Sequence, residues 1–224
     1  MASTAVPESP LFGMAVEEAA AATSGGQARA TLRSLPFYGK FLLKGRIEDA
    51  AFASAIERAT GMQPPSGRAV MARPLQADGG GTGASTGDLL LFRSSPKCWM
   101  LISPPAAREG MAAGLRTSFA LAAEPHAVRG GWVDMSAGLH LLSLEGDQAA
   151  ALLERGCPLD LDDADFPPGA AARSLFGPYA IALVRRTAGY WLLIDRSYAR
   201  SFVDYLLDLG APFAIRYAER GETA

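Results

Sequence analysis

Three apolar runs in the second half of the sequence follow one another with only a few residues between them. We assign strands to residues 172–176, 180–185 and 190–194. Parallel strands need a crossover of a dozen residues or more, whereas antiparallel strands can be joined by a tight turn. The spacing therefore predicts antiparallel hairpins and argues against a doubly wound parallel sheet, in which strands and helices alternate.

Helices return between these groups of strands. Asp49 is a predicted N-cap, and apolar residues at helical spacing indicate a helix that runs to Thr60 and ends at Gly61. We interpret the chain as β-α-β-β-β-α followed by β-β-α-β-β-β-α-β, with residues 31–47 taken as one strand-like segment. The predicted fold class is α+β, with two ferredoxin-like lobes, mostly antiparallel sheets and helices packed on them.

The sequence divides into three parts. Residues 1–30 are rich in Ala, Ser, Gly and Glu and are predicted to form a flexible N-terminal arm. Residues 31–125 are predicted to form the first α+β lobe, and residues 126–224 the second. A flexible loop is expected at residues 77–87, where the sequence ADGGGTGASTG has few groups to bury.

Composition argues against several classes of protein. The sequence has 21 Lys and Arg against 23 Asp and Glu, without the basic cluster that nucleic-acid binding requires. It lacks the ~20 uninterrupted apolar residues of a membrane span. A signal peptide needs basic residues near its start, and no basic residue precedes Arg29. Cys98 and Cys157 match no metal or redox spacing. We therefore expect a cytoplasmic protein without nucleic-acid or membrane partners.

One short motif suggests hydrolase chemistry. Residues 83–87, Gly-Ala-Ser-Thr-Gly, match the pattern around the nucleophile of serine hydrolases, and His126 or His140 would be the candidate base. That pattern requires a strand before Ser85 and a helix after it, whereas here a glycine-rich run precedes and a predicted strand follows. We interpret the segment as a surface loop. Both histidines lack a clustered Cys or His at ligand spacing, and we interpret them as structural.

An acidic run suggests a cation site. Four aspartates lie within residues 160–165, but the run lacks the turn glycine and terminal glutamate of an EF-hand loop. We interpret it as a capped, solvated turn. The basic residues at 185–186 and 196–200 are interpreted as solvated faces or ion pairs. No residue is predicted to be catalytic, to bind a cofactor or to hold a metal ion.

Several short sequence motifs, taken in order, resemble those of one known family. They are Asp-Met-Ser-Ala-Gly at 134–138, Gly-Cys-Pro-Leu-Asp-Leu at 156–161, Phe-Pro-Pro-Gly at 166–169 and Arg-Ser-Tyr at 196–198. With these motifs the chain resembles the gamma subunit of heterotetrameric sarcosine oxidase. That family is related in fold to the aminomethyltransferase, or T-protein, of the glycine cleavage system, so the resemblance implies T-protein-like lobes.

The resemblance also implies a role in an enzyme complex. Such a complex oxidatively demethylates sarcosine to glycine, reduces oxygen to peroxide and passes the methyl carbon to tetrahydrofolate. The implied partners are larger alpha and beta subunits and a small delta subunit. FAD, FMN, NAD and tetrahydrofolate are expected in those other subunits and none in this chain, for which the resemblance implies a non-catalytic role.

We expect the loop at residues 157–169 to contact the other subunits, because its prolines stiffen it and reduce the entropy lost on docking. The interface candidates are Cys157, Pro158, Leu159, Asp160, Phe166 and Pro168. Two alternatives stay open: a free-standing folate-dependent aminomethyltransferase-like enzyme, and a subunit of a related N-methyl amine oxidase.

Overall fold

The computed structural model describes residues 10–11, 29–76, 85–122 and 128–218. Most of the predicted N-terminal arm and most of the predicted loop at residues 77–87 therefore lie outside the described residues.

The described residues form eleven β-strands and four α-helices. The strands are β1 (Ala30–Ser34), β2 (Gly39–Gly45), β3 (Val70–Gln76), β4 (Ser85–Ser95), β5 (Cys98–Ser103), β6 (Gly130–Asp134), β7 (Leu139–Glu145), β8 (Ala171–Phe176), β9 (Tyr179–Arg186), β10 (Gly189–Asp195) and β11 (Ile215–Ala218). The helices are α1 (Ala50–Thr60), α2 (Arg108–Ala122), α3 (Ala149–Glu154) and α4 (Ala199–Gly210). Of these helices, none has the length and apolar character that crossing a membrane requires.

The strands form two sheets. Sheet A has the order β11-β1-β7-β10-β9-β8, and sheet B has the order β3-β4-β5-β2-β6. Within the described sheets, β1 and β11 are the one parallel pair, and all other neighbours run antiparallel. The predicted α+β class with mostly antiparallel sheets is confirmed. The hairpins predicted from the short connections are β8–β9 and β9–β10.

The two sheets repeat one topology. Sheet B is built by β2-α1-β3-β4-β5-α2-β6, and sheet A by β7-α3-β8-β9-β10-α4-β11. The strand order is the same in both sheets once β1 is set aside, because β1 is inserted between β7 and β11 where β2 and β6 are neighbours in sheet B. The strand pairing thus shows a duplicated topology.

The chain crosses between the sheets at a place that the sequence pattern conceals. The single strand-like segment predicted at residues 31–47 is wrong, because β1 pairs in sheet A and β2 in sheet B. Pro36, which has no backbone N–H, and Phe37, which has a φ of 67°, interrupt the extended chain between these strands. A second crossing follows β6, which pairs with β2 in sheet B although it lies beyond residue 126.

Three clusters of buried side chains hold the layers together. One lies between sheet A and helices α3 and α4 and includes Phe176 and Phe202. Another lies between sheet B and helices α1 and α2 and includes Phe52. The third consists of strand residues from both sheets, among them Phe92 and Leu193. The layers therefore follow the order helix, sheet, sheet, helix, and each sheet packs against helices on one face and against the other sheet on the opposite face.

Helix α1 shows how local sequence fixes the bounds of an element. Asp49 Oδ1 accepts hydrogen bonds from the backbone N–H groups of Ala51 and Phe52, at 3.0 and 3.4 Å. At the other end Gly61 has a φ of 70°, and its N–H donates to the carbonyl oxygen of Glu57. Glycine adopts this left-handed conformation without a steric penalty. The N-cap and the helix end predicted from the sequence are both confirmed.

The variant Gly146→Ala is expected to disturb the entry of β1 into sheet A. Gly146 has a φ of 119°, and a Cβ there would lie 2.3 Å from the backbone oxygen of Arg29. A backbone atom cannot move aside as the end of a flexible side chain can. We expect the free energy of unfolding, measured by urea denaturation, to fall by about 2 to 4 kcal/mol.

The matched control is Gly67→Ala. Gly67 is exposed, and no described atom lies within 4 Å of the position that its Cβ would take. This substitution should change the free energy of unfolding by about 0.5 kcal/mol or less. Equal losses in the two variants would contradict the interpretation.

Candidate functional site

The loop at residues 157–169, named here the motif loop, joins α3 to β8 and is anchored by buried side chains. Cys157, Leu161 and Phe166 are 5%, 2% and 0% exposed and pack in the core between sheet A and its helices. The Cys157 thiol also donates to Ser174 Oγ at 3.4 Å. Two of the predicted interface candidates, Cys157 and Phe166, are thus covered by residues of this chain.

The other interface candidates lie at the surface of the motif loop. Pro158, Asp160 and Pro168 are exposed, and Leu159 is half-buried. Asp160 Oδ1 accepts a hydrogen bond from the backbone N–H of Asp162 at 3.1 Å, which is the capped turn that the acidic run predicts. Within the described residues, no three His, Cys, Asp or Glu side chains are grouped so as to hold a metal ion.

The end of the motif loop connects the two sheets. The N–H of Val70, at the start of β3, donates to Gly169 O at 2.7 Å, and the N–H of Gly169 donates to Arg185 O at 3.0 Å. Ala69 and Ala170 form an isolated antiparallel bridge beside these bonds. The exposed residues of the loop are therefore held on a backbone that is fixed at both ends.

The residues of the serine hydrolase hypothesis are placed differently from what that chemistry requires. Ser85 is the first residue of β4, so a strand follows it where the hydrolase pattern has a helix. His126 lies outside the described residues. His140 is 4% exposed, and its Nε2 and Ser34 Oγ form a hydrogen bond of 3.0 Å. This buried bond agrees with the structural role predicted for His140.

A cleft of about 220 Å³, named here the crossing cleft, opens where the chain passes between the two sheets. Lys40 and His140 come from β2 and β7, which hold the same place in their respective sheets. Arg108 begins α2, which follows β5, and Arg196 follows β10, the counterpart of β5. The remaining lining residues are Pro10, Pro36, Phe37, Ser136, Ala137 and Leu139.

Lys40 is the buried cation of the crossing cleft, with 3% of its surface exposed. Strand alternation directs its side chain to the same face of β2 as Leu42, which packs against the cluster between the sheets. Burial first, and then the charge of Arg108, lowers the pKa of Lys40 from 10.5 to about 8. The Asp134 carboxylate opposes this shift, and Arg196 adds a smaller lowering effect. Lys40 is therefore mostly protonated at neutral pH.

A chain of hydrogen bonds connects Lys40 to the second crossing. The backbone N–H of Lys40 donates to Ser136 Oγ at 3.0 Å, and the N–H of Ser136 donates to Asp134 Oδ1 at 2.8 Å. Asp134 in turn lies 3.6 Å from the guanidinium of Arg108. Burial raises the pKa of Asp134, but the hydrogen bonds from Ser136 and the charge of Arg108 outweigh burial and leave that pKa lowered. The Asp134 carboxylate, shared in this way between Ser136 and Arg108, is thus ionised.

His140 contributes no charge to the crossing cleft at neutral pH. Burial, followed by the positive charges of Lys40 and Arg196, lowers the pKa of His140 from 6.5 to about 4. The neutral imidazole is therefore a hydrogen-bonding group, and the positive charge of the cleft comes from Lys40, Arg108 and Arg196.

This cleft could not be predicted from the sequence. Its three charged residues, Lys40, Arg108 and Arg196, come from three separate segments, and no motif spacing connects them. Arg196, one of the basic residues predicted to be solvated or paired, is half-buried and lines the cleft together with Lys40. The one local signal is a lysine placed directly before the apolar residues 41–43 of a strand.

A second, open groove of about 480 Å³ lies beside β6. In the described sheet β6 pairs on one side only, with β2. Val133 of β6 is 55% exposed, and the half-buried Leu42 and Trp132 lie next to it in the groove. An open strand edge with apolar side chains is typical of a surface that another chain covers.

The chain has relatives of known identity that are similar in sequence. The model of the sarcosine oxidase gamma subunit family matches residues 44–212. The chain is similar to the sarcosine oxidase subunit gamma of Corynebacterium sp. (strain U-96), with 28% identity over 213 residues that cover 95% of this chain and 94% of that subunit.

Solved structures share the fold. A chain of the heterotetrameric sarcosine oxidase from Corynebacterium sp. U-96, in complex with pyrrole 2-carboxylate, matches with a TM-score of 0.72 and 23% identity, over 97% of this chain and 99% of that chain. Aminomethyltransferase T of the glycine cleavage system from Bartonella henselae matches with a TM-score of 0.57 and 16% identity, over 86% of this chain and 48% of that enzyme. The T-protein-like fold expected from the sequence is confirmed.

The variant His140→Gln is expected to make folding less sensitive to acid. The folded-state pKa of about 4 lies below the reference value of 6.5, so the unfolded chain binds more protons between these two pH values. Stability is therefore lost as the pH falls from 6.5 to about 4, and this loss amounts to about 3 kcal/mol for His140.

Glutamine does not titrate, so His140→Gln should lack this part of the loss while it can keep a hydrogen bond to Ser34. Urea denaturation at pH 7 and near pH 4 measures the difference. The same acid sensitivity in both proteins would show that His140 is not the group responsible.

Proposed function

The chain belongs to the sarcosine oxidase gamma subunit family, and we propose that it serves as the gamma-type subunit of a heterotetrameric sarcosine oxidase. The observation that carries this proposal is the family match across residues 44–212. The proposed reaction of the whole complex is the oxidative demethylation of sarcosine to glycine. In that reaction oxygen is reduced to peroxide, and the methyl carbon passes to tetrahydrofolate.

Within the complex, the proposed role of this chain is structural. We assign the flavins FAD and FMN, NAD and tetrahydrofolate to the larger alpha and beta subunits and the small delta subunit, and we place the complex in the cytoplasm. A subunit of this kind stabilises the assembled state by burying partner surface.

We propose that the motif loop is one contact with the larger subunits. Because Cys157 and Phe166 are buried in this chain, they position the loop, and Pro158, Asp160 and Pro168 are the residues that a partner would meet. The fixed backbone of the loop reduces the entropy lost on docking. The apolar groove beside β6 is a second proposed contact for the same larger subunits, because its strand edge is open.

The function is tested by purifying this chain from its native cell extract under conditions that preserve complexes. We expect a yellow complex of several subunits that produces peroxide when sarcosine is added. A colourless single chain that transfers a one-carbon unit to folate would instead support the aminomethyltransferase alternative. Peroxide formed from another N-methyl amine, but not from sarcosine, would point to a related amine oxidase.

The double variant Asp160→Arg and Pro168→Arg tests the motif loop. Both positions are exposed, and Asp160→Arg removes the hydrogen bond to the Asp162 N–H, so we expect the free energy of unfolding of the isolated chain to fall by only about 1 kcal/mol. The amount of larger subunit that co-purifies should fall about tenfold or more, as expected when two bulky charges enter a packed interface.

Two further variants serve as controls for this experiment. Asp204→Arg introduces the same charge on an exposed position of α4 and should assemble normally. Phe166→Ala removes a fully buried ring and should destabilise the chain itself, by about 3 to 5 kcal/mol. Normal assembly of the double variant would rule out the motif loop as a contact.

A further inference from the structure

The crossing cleft has a concentration of positive charge that the proposed structural role leaves unexplained. Lys40, Arg108 and Arg196 line it, and among its described lining residues there is no carboxylate. We propose that the crossing cleft binds a small oxyanion, the carboxylate or phosphate group of a small molecule. This inference concerns a site on this chain alone and does not depend on the proposed function.

The burial of Lys40 is the first argument. An ammonium group that leaves water loses hydration energy, and buried charges are normally compensated by a partner. None of the ion pairs formed among the described residues includes Lys40. An oxyanion in the cleft would supply that missing counter-charge.

The shared carboxylate is the second argument. Asp134 is the acidic group that acts on Lys40, but it already faces the guanidinium of Arg108 at 3.6 Å and accepts a hydrogen bond from the N–H of Ser136. Among the described residues, this one carboxylate therefore acts on both Lys40 and Arg108, and that pair of cations keeps a net positive charge. His140 does not change this balance, because burial keeps its imidazole neutral.

The types of cation are the third argument. A guanidinium presents a planar set of N–H donors that matches the oxygens of a carboxylate or phosphate, while the lysine ammonium acts as a compact point charge. Arg108 and Arg196 come from corresponding places in the two lobes, after β5 and β10. The duplication of the fold thus brings an arginine to the cleft from each lobe.

The apolar wall sets the size of the ligand. Phe37, 43% exposed, lies at the cleft with a φ of 67°. A bulky residue seldom adopts this conformation, which persists only where the surrounding structure fixes it. With Pro36 and Leu139 it forms a hydrophobic wall, so a volume of about 220 Å³ suits an acid with a short apolar part and excludes a nucleotide.

The test uses isothermal titration calorimetry on the full-length chain, with sodium phosphate and sodium malonate as the two probes and chloride added to equal ionic strength. We expect saturable binding of at least one probe at a single site. An anion beside Lys40 favours its charged form, so binding near pH 8 should be accompanied by proton uptake, measured in buffers with different ionisation enthalpies. The two probes distinguish phosphate from carboxylate recognition.

Variants assign the binding to the cleft. Lys40→Met should remove the proton uptake, and both Lys40→Met and Arg196→Gln should weaken binding about tenfold or more, the effect of losing one charge-assisted hydrogen bond. Arg200→Gln is the matched control, because Arg200 is an exposed cation near Arg196 in sequence that does not line the cleft. If Lys40→Met fails to fold, Arg196→Gln still tests whether the anion binds in the crossing cleft, because Arg196 is only half-buried.

Two results would overturn the proposal. One is the absence of saturable binding by either probe. The other is an equal loss of affinity in Arg196→Gln and Arg200→Gln, because that would show diffuse attraction to surface charge in place of a defined site.

Discussion

The insertion of β1 into sheet A is the constraint on which the rest of the structure depends. Its five residues pair with β7 on one side and β11 on the other, and Ala30 and Leu32 are fully buried in the core beneath. Because β2, the next strand, belongs to sheet B, the chain has to cross between the sheets within residues 35–38. The chain itself thus links the two sheets, because a strand that directly precedes β2 forms its main-chain hydrogen bonds in sheet A.

That crossing, and the matching one after β6, determine where polar chemistry can occur in this fold. A crossing segment belongs to neither sheet, so its polar groups have to find hydrogen-bond partners outside the regular strand pairing. Here Ser136 from the second crossing accepts the hydrogen bond of the Lys40 N–H at the start of β2. The crossing cleft also lies here, and it places the charged side chain of Lys40 next to an apolar core. The crossing cleft is therefore a consequence of the topology.

The ends of helices and strands depend on local interactions, so the local sequence could predict them. Asp49 and Gly61 set the ends of α1, and the strands predicted at 172–176, 180–185 and 190–194 match β8, β9 and β10 to within one residue at each end, because caps and strand patterns act over a few residues. The partners of β1 and β6 could not be found in this way, since nothing within either strand states which sheet it joins. For the same reason the crossing cleft could not be predicted: Lys40 and Arg196 are distant in sequence and come together only when both sheets have formed.

In the motif loop, the residues that carry the family resemblance and the residues available for an interface need not be the same. Cys157, Leu161 and Phe166 fill the core of sheet A, and a Cβ on Gly156 would lie 2.9 Å from the ring of Phe176. These four positions are explained by the packing of this chain alone, whether or not a partner is bound. Only the exposed residues between them remain for recognition. A resemblance carried by such motifs therefore identifies the fold of the lobe first, and the interface has to be sought in the surface that those buried residues hold in place.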